Sequence, residues 1–351
     1  MHDSFEGFPD VAVIIPHLKQ RRLLVNCLDS LRKTTYPRFS ICIVDNGADA
    51  SDIRDIGEAY PEVRVICMPF NAGYAGGCNA GLKATRSKYA VFLNDDTLVE
   101  PDWLDRLVSA AGRHQELGAL QPKILSMKGR RQGRKVFDYA GAAGGMIDRL
   151  GYPYCLGRDF SGTEEDRGQY DFSHELFWAS GVAMFVLRKA VEEAGGFDED
   201  FFMHMEEIDL CWRLQLRGYR IVSVPDAVVY HEGGATLEEG SSRKIYFNHR
   251  NNIAMLIKNF GSASLAAVLP LRAVLECAAA FFYLFNPNGG LQKAAAVFRA
   301  AVDNASSLGK LLGKRRLVQQ SRKVGDVQVF RNRPYSVFLP AQMRGNIGQR
   351  F

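Results

Sequence analysis

An α/β fold, a mixed and mainly parallel sheet flanked by helices with a helical C-terminal extension, is predicted by three observations. Short all-apolar runs alternate with stretches of helical spacing, several of those runs stop at a polar or Pro-containing turn, and beyond Tyr246 the pattern is helical throughout. Val11 to Ile15, closed by Pro16, reads as a strand buried on both faces, and Leu23 to Leu31 follows with helical spacing. Ser40 to Val44, ending in Asp45-Asn46-Gly47, and Val63 to Ile66 give the next two strands. Tyr89 to Leu93 is a fourth, running straight into Asn94-Asp95-Asp96-Thr97. From Leu117 to Asp171 the periodicity is weak and Gly, Arg and Lys abound, so this stretch reads as strands and loops bordering a site. Phe177 to Leu187 reads as a strand, Gly195 to Asp198 as a turn, and Glu206 to Gly218 as a helix stopped by its glycine. Ile221 to Pro225 and Val228 to His231 complete this half, so the division expected is 1–250 for the α/β domain and 251–351 for the helical region.

The 351 residues, 47% hydrophobic, 24% charged and 11% aromatic, exclude a disordered chain, a collagen and a coiled coil. Cys27, Cys42, Cys67, Cys78, Cys155, Cys211 and Cys277 are odd in number and contain no CxxC pair, which fits a reducing cytoplasm better than a disulfide framework or zinc site. Met1 to Asp10 is polar and acidic, unlike a signal peptide, so the cytosolic side is expected. Residues 286–325 hold eight Lys/Arg and one acid, Asp303, a net +7 that leaves the remainder at −2. This localised excess points to an anionic membrane surface or, otherwise, to a solvated helix face. No nucleic-acid signature accompanies it. Leu265 to Phe285 is nearly long enough to span a bilayer, but Pro270, Arg272 and Glu276 interrupt it. The last two share a helix face and can pair, so an interfacial helix or partly inserted hairpin is expected, a buried soluble helix being the other reading.

Adjacent carboxylates at a strand's carboxyl end, Asp95 and Asp96, ask for a hard cation such as Mg²⁺ or Mn²⁺, which also holds phosphates; a polar turn with a helix cap is the plainer reading. Glu206, Glu207 and Asp209 open a helix whose dipole favours them, but the apolar lead-in Phe201 to Met205 can leave one carboxylate in a dry pocket as a working base. Neighbours on a helix diverge by about 100°, so Glu206 and Glu207 cannot both face one point. His231 ends a strand and is followed by Glu232-Gly233-Gly234; it is a candidate metal ligand or a structural histidine. Asn71 to Asn79 is a glycine-rich turn before a helix, where a nucleotide can approach backbone closely.

Taken in order, Ile14-Ile15-Pro16, Val44-Asp45-Asn46, Asn71 to Gly81, Leu93 to Thr97, Ser180-Gly181, Gly195 to Asp198, Glu206-Glu207 with Asp209-Leu210 and Arg213, and His231 resemble the family 2 glycosyltransferases, in particular their rhamnosyltransferase-like branch. The resemblance covers about Val11 to Asn252. It implies a GT-A fold with about seven strands, and transfer of a sugar from a nucleotide diphosphate with inversion. It implies further that Pro16, Asp45, Asn71, Gly73, Gly77, Asn79 and Asp95 serve the nucleotide-sugar, that Asp96 and His231 hold Mg²⁺ or Mn²⁺, and that Trp178, Ser180 and Gly181 line the acceptor side. Glu-Asp is the commoner family pair where this chain has Glu206-Glu207, so Glu207 takes the position of the base, with Glu206 second. His17-Leu18-Lys19 also departs from the usual small polar residues and Asn after the first strand. A lipid-linked or glycan acceptor, rhamnose as donor sugar, surface-polysaccharide synthesis and a place at the cytoplasmic face of the membrane follow by the same resemblance, with Arg250 a candidate contact to a lipid diphosphate.

Two other readings compete. A sugar-phosphate nucleotidyltransferase would carry a glycine-rich basic loop after the first strand, where His17-Leu18-Lys19-Gln20 has no glycine. A non-catalytic nucleotide-sugar-binding relative would keep the fold without needing Asp96, Glu207 and His231 together.

Overall fold

The computed structural model describes residues 9–47, 53, 55–158, 162–233, 240–286 and 289–338. All but the end of the polar N-terminal segment, and Gly234, lie outside them. Strands β1 (Val11–His17), β2 (Phe39–Asp45), β3 (Val63–Cys67) and β4 (Tyr89–Leu93) alternate with helices α1 (Arg21–Leu31), α2 (Ile56–Ala59) and α3 (Gly73–Ala84). The runs are wholly apolar because each strand is covered twice. Val11, Val13 and Ile15 pack with Leu24 and Leu28 of α1, whereas Ile14 packs on the other face with Ala75 and Cys78 of α3. β1 pairs in parallel with both β2 and β4.

The remaining elements of this half are β5 (Thr97–Val99), α4 (Trp103–Gly112), β6 (Leu117–Ser126), α5 (Met127–Arg131), the hairpin β7 (Gly144–Ile147) and β8 (Pro153–Leu156), β9 (Ala183–Leu187), α6 (Arg188–Glu193), α7 (Glu206–Leu216) and β10 (Arg220–His231). They complete an eight-stranded sheet of order β3-β2-β1-β4-β9-β6-β10-β5, in which β9 and β5 run antiparallel to their neighbours.

Three expectations need correction. The stretch read as irregular opens with the longest of the strands paired to β9, the ten-residue β6, buried almost throughout. Gln121, Pro122 and Lys123 disguise it, and each is accommodated. Gln121 donates to the Gly141 carbonyl and accepts from the Ser180 amide, Lys123 pairs with Asp166 at 2.8 Å, and Pro122 lies where β10 slips register. Secondly, the strand expected at Phe177 begins only at Ala183, because Phe177 and Trp178 give their amides to the Gly145 carbonyl and Ser180 gives its own to Gln121. Thirdly, the two short strands at Ile221 and Val228 are one strand, β10, with an irregularity between Val224 and Val228.

Helices α8 (Ser242–Asn259), α9 (Ser262–Phe285), α10 (Leu291–Ser306), α11 (Leu308–Ser321) and α12 (Asp326–Val329) follow. α8 runs through position 250 and is welded to the sheet domain. Buried Lys258 lies 3.0 Å from Asp209 and also pairs with Asp198, while Arg272 donates to the Leu150 carbonyl and pairs with Glu276 at 2.9 Å. Much of the basic excess is spent inwardly. Lys310 and Lys314 pair with Asp200, Arg315 donates to the carbonyls of Ile257 and Phe260, and Arg322 pairs with Asp326. The chain then returns to the sheet domain. Phe330 packs among Phe177, Trp212 and Phe260, and the Val337 amide donates to Asp148 at 2.9 Å.

Candidate active site

Carboxyl ends of β1, β2 and β4 meet where the chain, having run outward from β1 to β3, crosses back to the far side of β1, the switch point at which open α/β sheets gather ligands. His17 is the register partner of Asp45, and its Nδ1 lies 2.6 Å from Asp95 Oδ2. Burial raises the Asp95 pKa; His17 opposes this and the Asp96 charge adds to it. Asn46 fixes the glycine-rich turn, donating to the Gly73 carbonyl at 2.7 Å and accepting from the Ala72 amide at 3.0 Å. Gly73 has φ +72°, and a Cβ there would fall 2.1 Å from the Phe202 carbonyl oxygen, so no other residue fits without movement.

These ends enclose a cavity of about 460 Å³ bordered by Pro16, His17, Asn46, Asn71, Gly73, Asp95 and Asp96, with Arg243 of α8 across it. Three of the residues expected at the nucleotide-sugar do not line it. Asp45 ends β2 beside His17 and bonds the Cys67 thiol. Gly77 serves close packing, its missing Cβ position 3.1 Å from Pro16 Cβ. Asn79 anchors the Gly195–Asp198 turn, donating to the Phe197 carbonyl and accepting from the Phe197 amide.

His231 reaches the same end because β10 pairs with β5, setting it opposite Thr97. Its Nε2 lies 3.2 Å from Asp96 Oδ1, and its Nδ1 lies 2.9 Å from Asp138. Burial would lower the His231 pKa, but Asp138 and Asp96 outweigh it and raise the value to about 10. Asp96 Oδ1 is buried, and its ion pair with the His231 ring is the interaction it makes there in place of a well-aligned hydrogen bond. A protonated His231 ring now neutralises Asp96; a divalent ion would displace that proton, and the carboxylate oxygen with the freed ring nitrogen fits Mg²⁺ or Mn²⁺. Among the described residues no set of three or more metal-binding side chains converges. Asp138, which orients His231, escaped sequence reasoning because it lies in the weakly periodic stretch.

The three carboxylates of α7 take three fates, as their angular separation requires. Asp209 is fully buried and bonds Arg213, Lys258 and Asn259. Glu206 is 5% exposed and its pKa is pushed well up by burial and by Glu207. Glu207 instead borders a second cavity of about 450 Å³, together with Trp178, His204, Tyr139, Arg158 and Lys244, and burial raises its pKa to about 7. Of the residues expected on the acceptor side, Trp178 lines this cavity. Ser180 and Gly181 do not: Ser180 donates to the Ala140 carbonyl, and the Gly181 carbonyl accepts from Tyr74. Arg250, expected at a diphosphate, donates to the Asp200 carbonyl and to Asn251.

The turn that aims Glu207 is strained, with φ of +62° at Phe202, +66° at His204 and +71° at Met205. Asn251 holds it: its buried amide donates to the carbonyls of Phe201, Met203 and His204 at 2.8–2.9 Å. Asn251→Ala leaves these carbonyls unmatched and is expected to cost about 1–3 kcal/mol, read by calorimetry as a lower Tm, with kcat falling as Glu207 loses its aim.

A parallel switch-point cavity bearing acidic residues, with a carboxyl-lined cavity beside it on one mixed sheet, is the arrangement of the GT-A fold. The fold matches GalNAc-T7, solved with UDP, GalNAc and Mn²⁺ (TM-score 0.57, 14% identity, 87% of this chain and 58% of that one), and residues 1–349 of S. aureus TarS (TM-score 0.55, 16% identity, 92% and 89%). The chain belongs to glycosyltransferase family 2: the profile described as "Glycosyltransferase like family 2" matches residues 9–251. Similar proteins include O-antigen biosynthesis protein RfbC of Myxococcus xanthus (30% identity over 244 residues, 66% of this chain) and N-acetylglucosaminyl-diphospho-decaprenol L-rhamnosyltransferase of Mycobacterium tuberculosis (27% over 257 residues, 69% of this chain). The match spans 18% of RfbC and 80% of the rhamnosyltransferase. The chain is therefore a family 2 glycosyltransferase, similar to relatives of the rhamnosyltransferase-like branch.

Proposed function

We propose that this enzyme moves a sugar, rhamnose in the first instance, from a nucleotide diphosphate to a lipid-linked or saccharide acceptor with inversion, using Mg²⁺ or Mn²⁺, in cell-surface polysaccharide synthesis. Glu207 carries the reading: a carboxyl whose pKa lies near neutrality borders its own cavity with His204 and Met205, while Phe202 and Met203 of the same turn border the Asp95–Asp96 cavity. In this arrangement Glu207 takes the proton of an acceptor hydroxyl, and that oxygen attacks the anomeric carbon opposite the departing diphosphate. Asp95, braced by His17, orients the donor. A bound cation at Asp96 and His231 would supply positive charge to the leaving diphosphate. Arg243 borders the donor cavity as a second cation. The relative that acts on a diphospho-decaprenol substrate supports a lipid-linked acceptor.

The test is a donor panel: the protein in detergent with metal and single nucleotide-sugars, followed for nucleoside diphosphate with and without chelator and acceptor lipid. Metal-dependent release favouring one donor supports the proposal; release indifferent to chelator overturns its metal requirement.

The membrane reading rests on α9 to α11. By length and composition α9 could cross a bilayer, yet Arg272 and the side chains near it seat one face on the sheet domain. The opposite side presents Val274, Phe281, Phe282 and Phe285, beside Phe298 of α10, all exposed. This is the pattern of a helix lying in the interface, here of the cytoplasmic leaflet. Replacing Phe281, Phe282 and Phe285 together with Ser is expected to lower binding to anionic phospholipid vesicles at least about tenfold in a flotation assay.

A further inference from the structure

The acceptor cavity contains two cations that proton abstraction does not use. Arg158 stacks on Tyr139, its Cζ 3.3 Å from the ring centroid, and donates from Nη1 to the Tyr139 carbonyl at 3.0 Å. Lys244 approaches the same ring, its Nζ 5.6 Å from the centroid. Both border the cavity that holds Glu207 and Trp178. Among the described residues neither forms an ion pair, whereas Lys123, Arg131, Arg134, Lys258 and Lys314 all have carboxylate partners. Two cations against one aromatic ring of a cavity, neither paired with a carboxylate among the described residues, suit an anion from outside.

The cavity adds two further observations. Lys244 sits in the first turn of the eighteen-residue α8, where the helix end contributes positive potential. His204, on the same wall, has its Nε2 buried without a hydrogen-bond partner, and burial and then Lys244 lower its pKa to about 4, leaving a neutral ring able to share a proton with an oxygen ligand. A planar guanidinium and an ammonium bordering one cavity match a phosphate better than a single carboxylate, because the fork can take two oxygens and the ammonium a third.

We infer that Arg158 and Lys244 form a phosphate-binding subsite within the acceptor cavity, so that the acceptor carries a phosphate or diphosphate group near the hydroxyl that meets Glu207. The inference rests on the reading of this cavity as the acceptor's, but its test does not depend on sugar transfer. Tyr139 ties the subsite to the donor side, since its neighbour Asp138 holds His231.

Pyridoxal 5′-phosphate tests it on the full chain. Its aldehyde condenses with a lysine amine, losing water, and borohydride delivers hydride to the imine to leave a stable secondary amine that mass spectrometry locates. Lys244 is expected to label about tenfold faster than the exposed Lys33 and Lys128, Arg158→Gln to slow that labelling about fivefold, and inorganic pyrophosphate to protect it. Labelling of Lys244 no faster than Lys33, or indifferent to both Arg158→Gln and pyrophosphate, overturns the subsite. Farnesyl diphosphate and farnesol in matched detergent identify the source of the phosphate. Protection by farnesyl diphosphate at concentrations well below those of pyrophosphate assigns a lipid head group, and equal protection assigns a soluble phosphate-bearing glycan. Protection by farnesol as strong as by its diphosphate overturns phosphate recognition. Failure of the donor panel with labelling intact would remove the transfer reading and leave the anion site standing.

Discussion

Glu207→Gln lowers kcat by an expected 10²–10⁴-fold, roughly the contribution of a positioned general base, while nucleotide-sugar affinity stays within about twofold. The amide keeps the shape of the side chain and loses only its basicity. In the unaltered enzyme the rate should rise with pH through about 7, because Glu207 works deprotonated and burial holds its pKa there. The same shift predicts a stability difference of opposite sign. Its folded pKa lies above the ordinary 4.5, so between those values the folded protein retains a proton that the unfolded chain has released, and stability falls as pH rises. Glutamine has no such proton. The variant should therefore gain Tm relative to the parent between pH 5 and pH 8 while losing nearly all transfer. Equal Tm differences at both pH values would show that Glu207 is not held in a dry site.

Asp96→Ala is the second large effect. It removes the buried carboxylate that pairs with His231, and with it the negative charge expected to hold the divalent ion. Transfer should fall about 10³-fold, the scale on which a metal ion stabilises a departing diphosphate. Mn²⁺ titration in the presence of nucleoside diphosphate, followed by electron paramagnetic resonance, should show binding weakened in parallel. Asp138→Asn keeps both of the expected ligands and loses only the charge that orients the imidazole, so its loss should be smaller, about 10- to 100-fold in metal affinity. An Asp96→Ala enzyme with unchanged Mn²⁺ affinity and rate would place the metal elsewhere.

The switch-point cavity bordered by Pro16, Asn71, Gly73, Asp95 and Asp96 was legible in the sequence because its signals are local, whereas Asp45, Gly77 and Asn79, expected with them, do not line it. A short apolar strand that stops at Asp95-Asp96 marks both the fold and the cavity's acidic edge within a few residues, and the spacing of Glu206, Glu207 and Asp209 already required them to diverge. What could not be read depends on partners far along the chain. β6 hid behind Gln121, Pro122 and Lys123, whose compensations come from Ser180, Asp166 and an irregularity in β10. Asp138, Tyr139 and Arg158 lie in the same weakly periodic stretch and acquire meaning only when His231 and Lys244 arrive. Ser180 kept its place in the family motif, yet its hydroxyl is a latch on the Ala140 carbonyl, because the signal marks position and not orientation. The basic run was visible, but its many internal partners were not.

The returning tail has an evolutionary consequence. Pro334, Val337 and Phe338 border the cavity that holds Glu207, whereas the donor cavity is drawn chiefly from residues before position 100 and from the turn at 202–203. On the assignment proposed above, donor choice and acceptor choice are inherited from different stretches of one chain. Drift or recombination confined to the last few dozen codons would then redraw the wall of the Glu207 cavity while the Asp95–Asp96 cavity is passed on unaltered, so that one ancestral donor chemistry is joined to new acceptors.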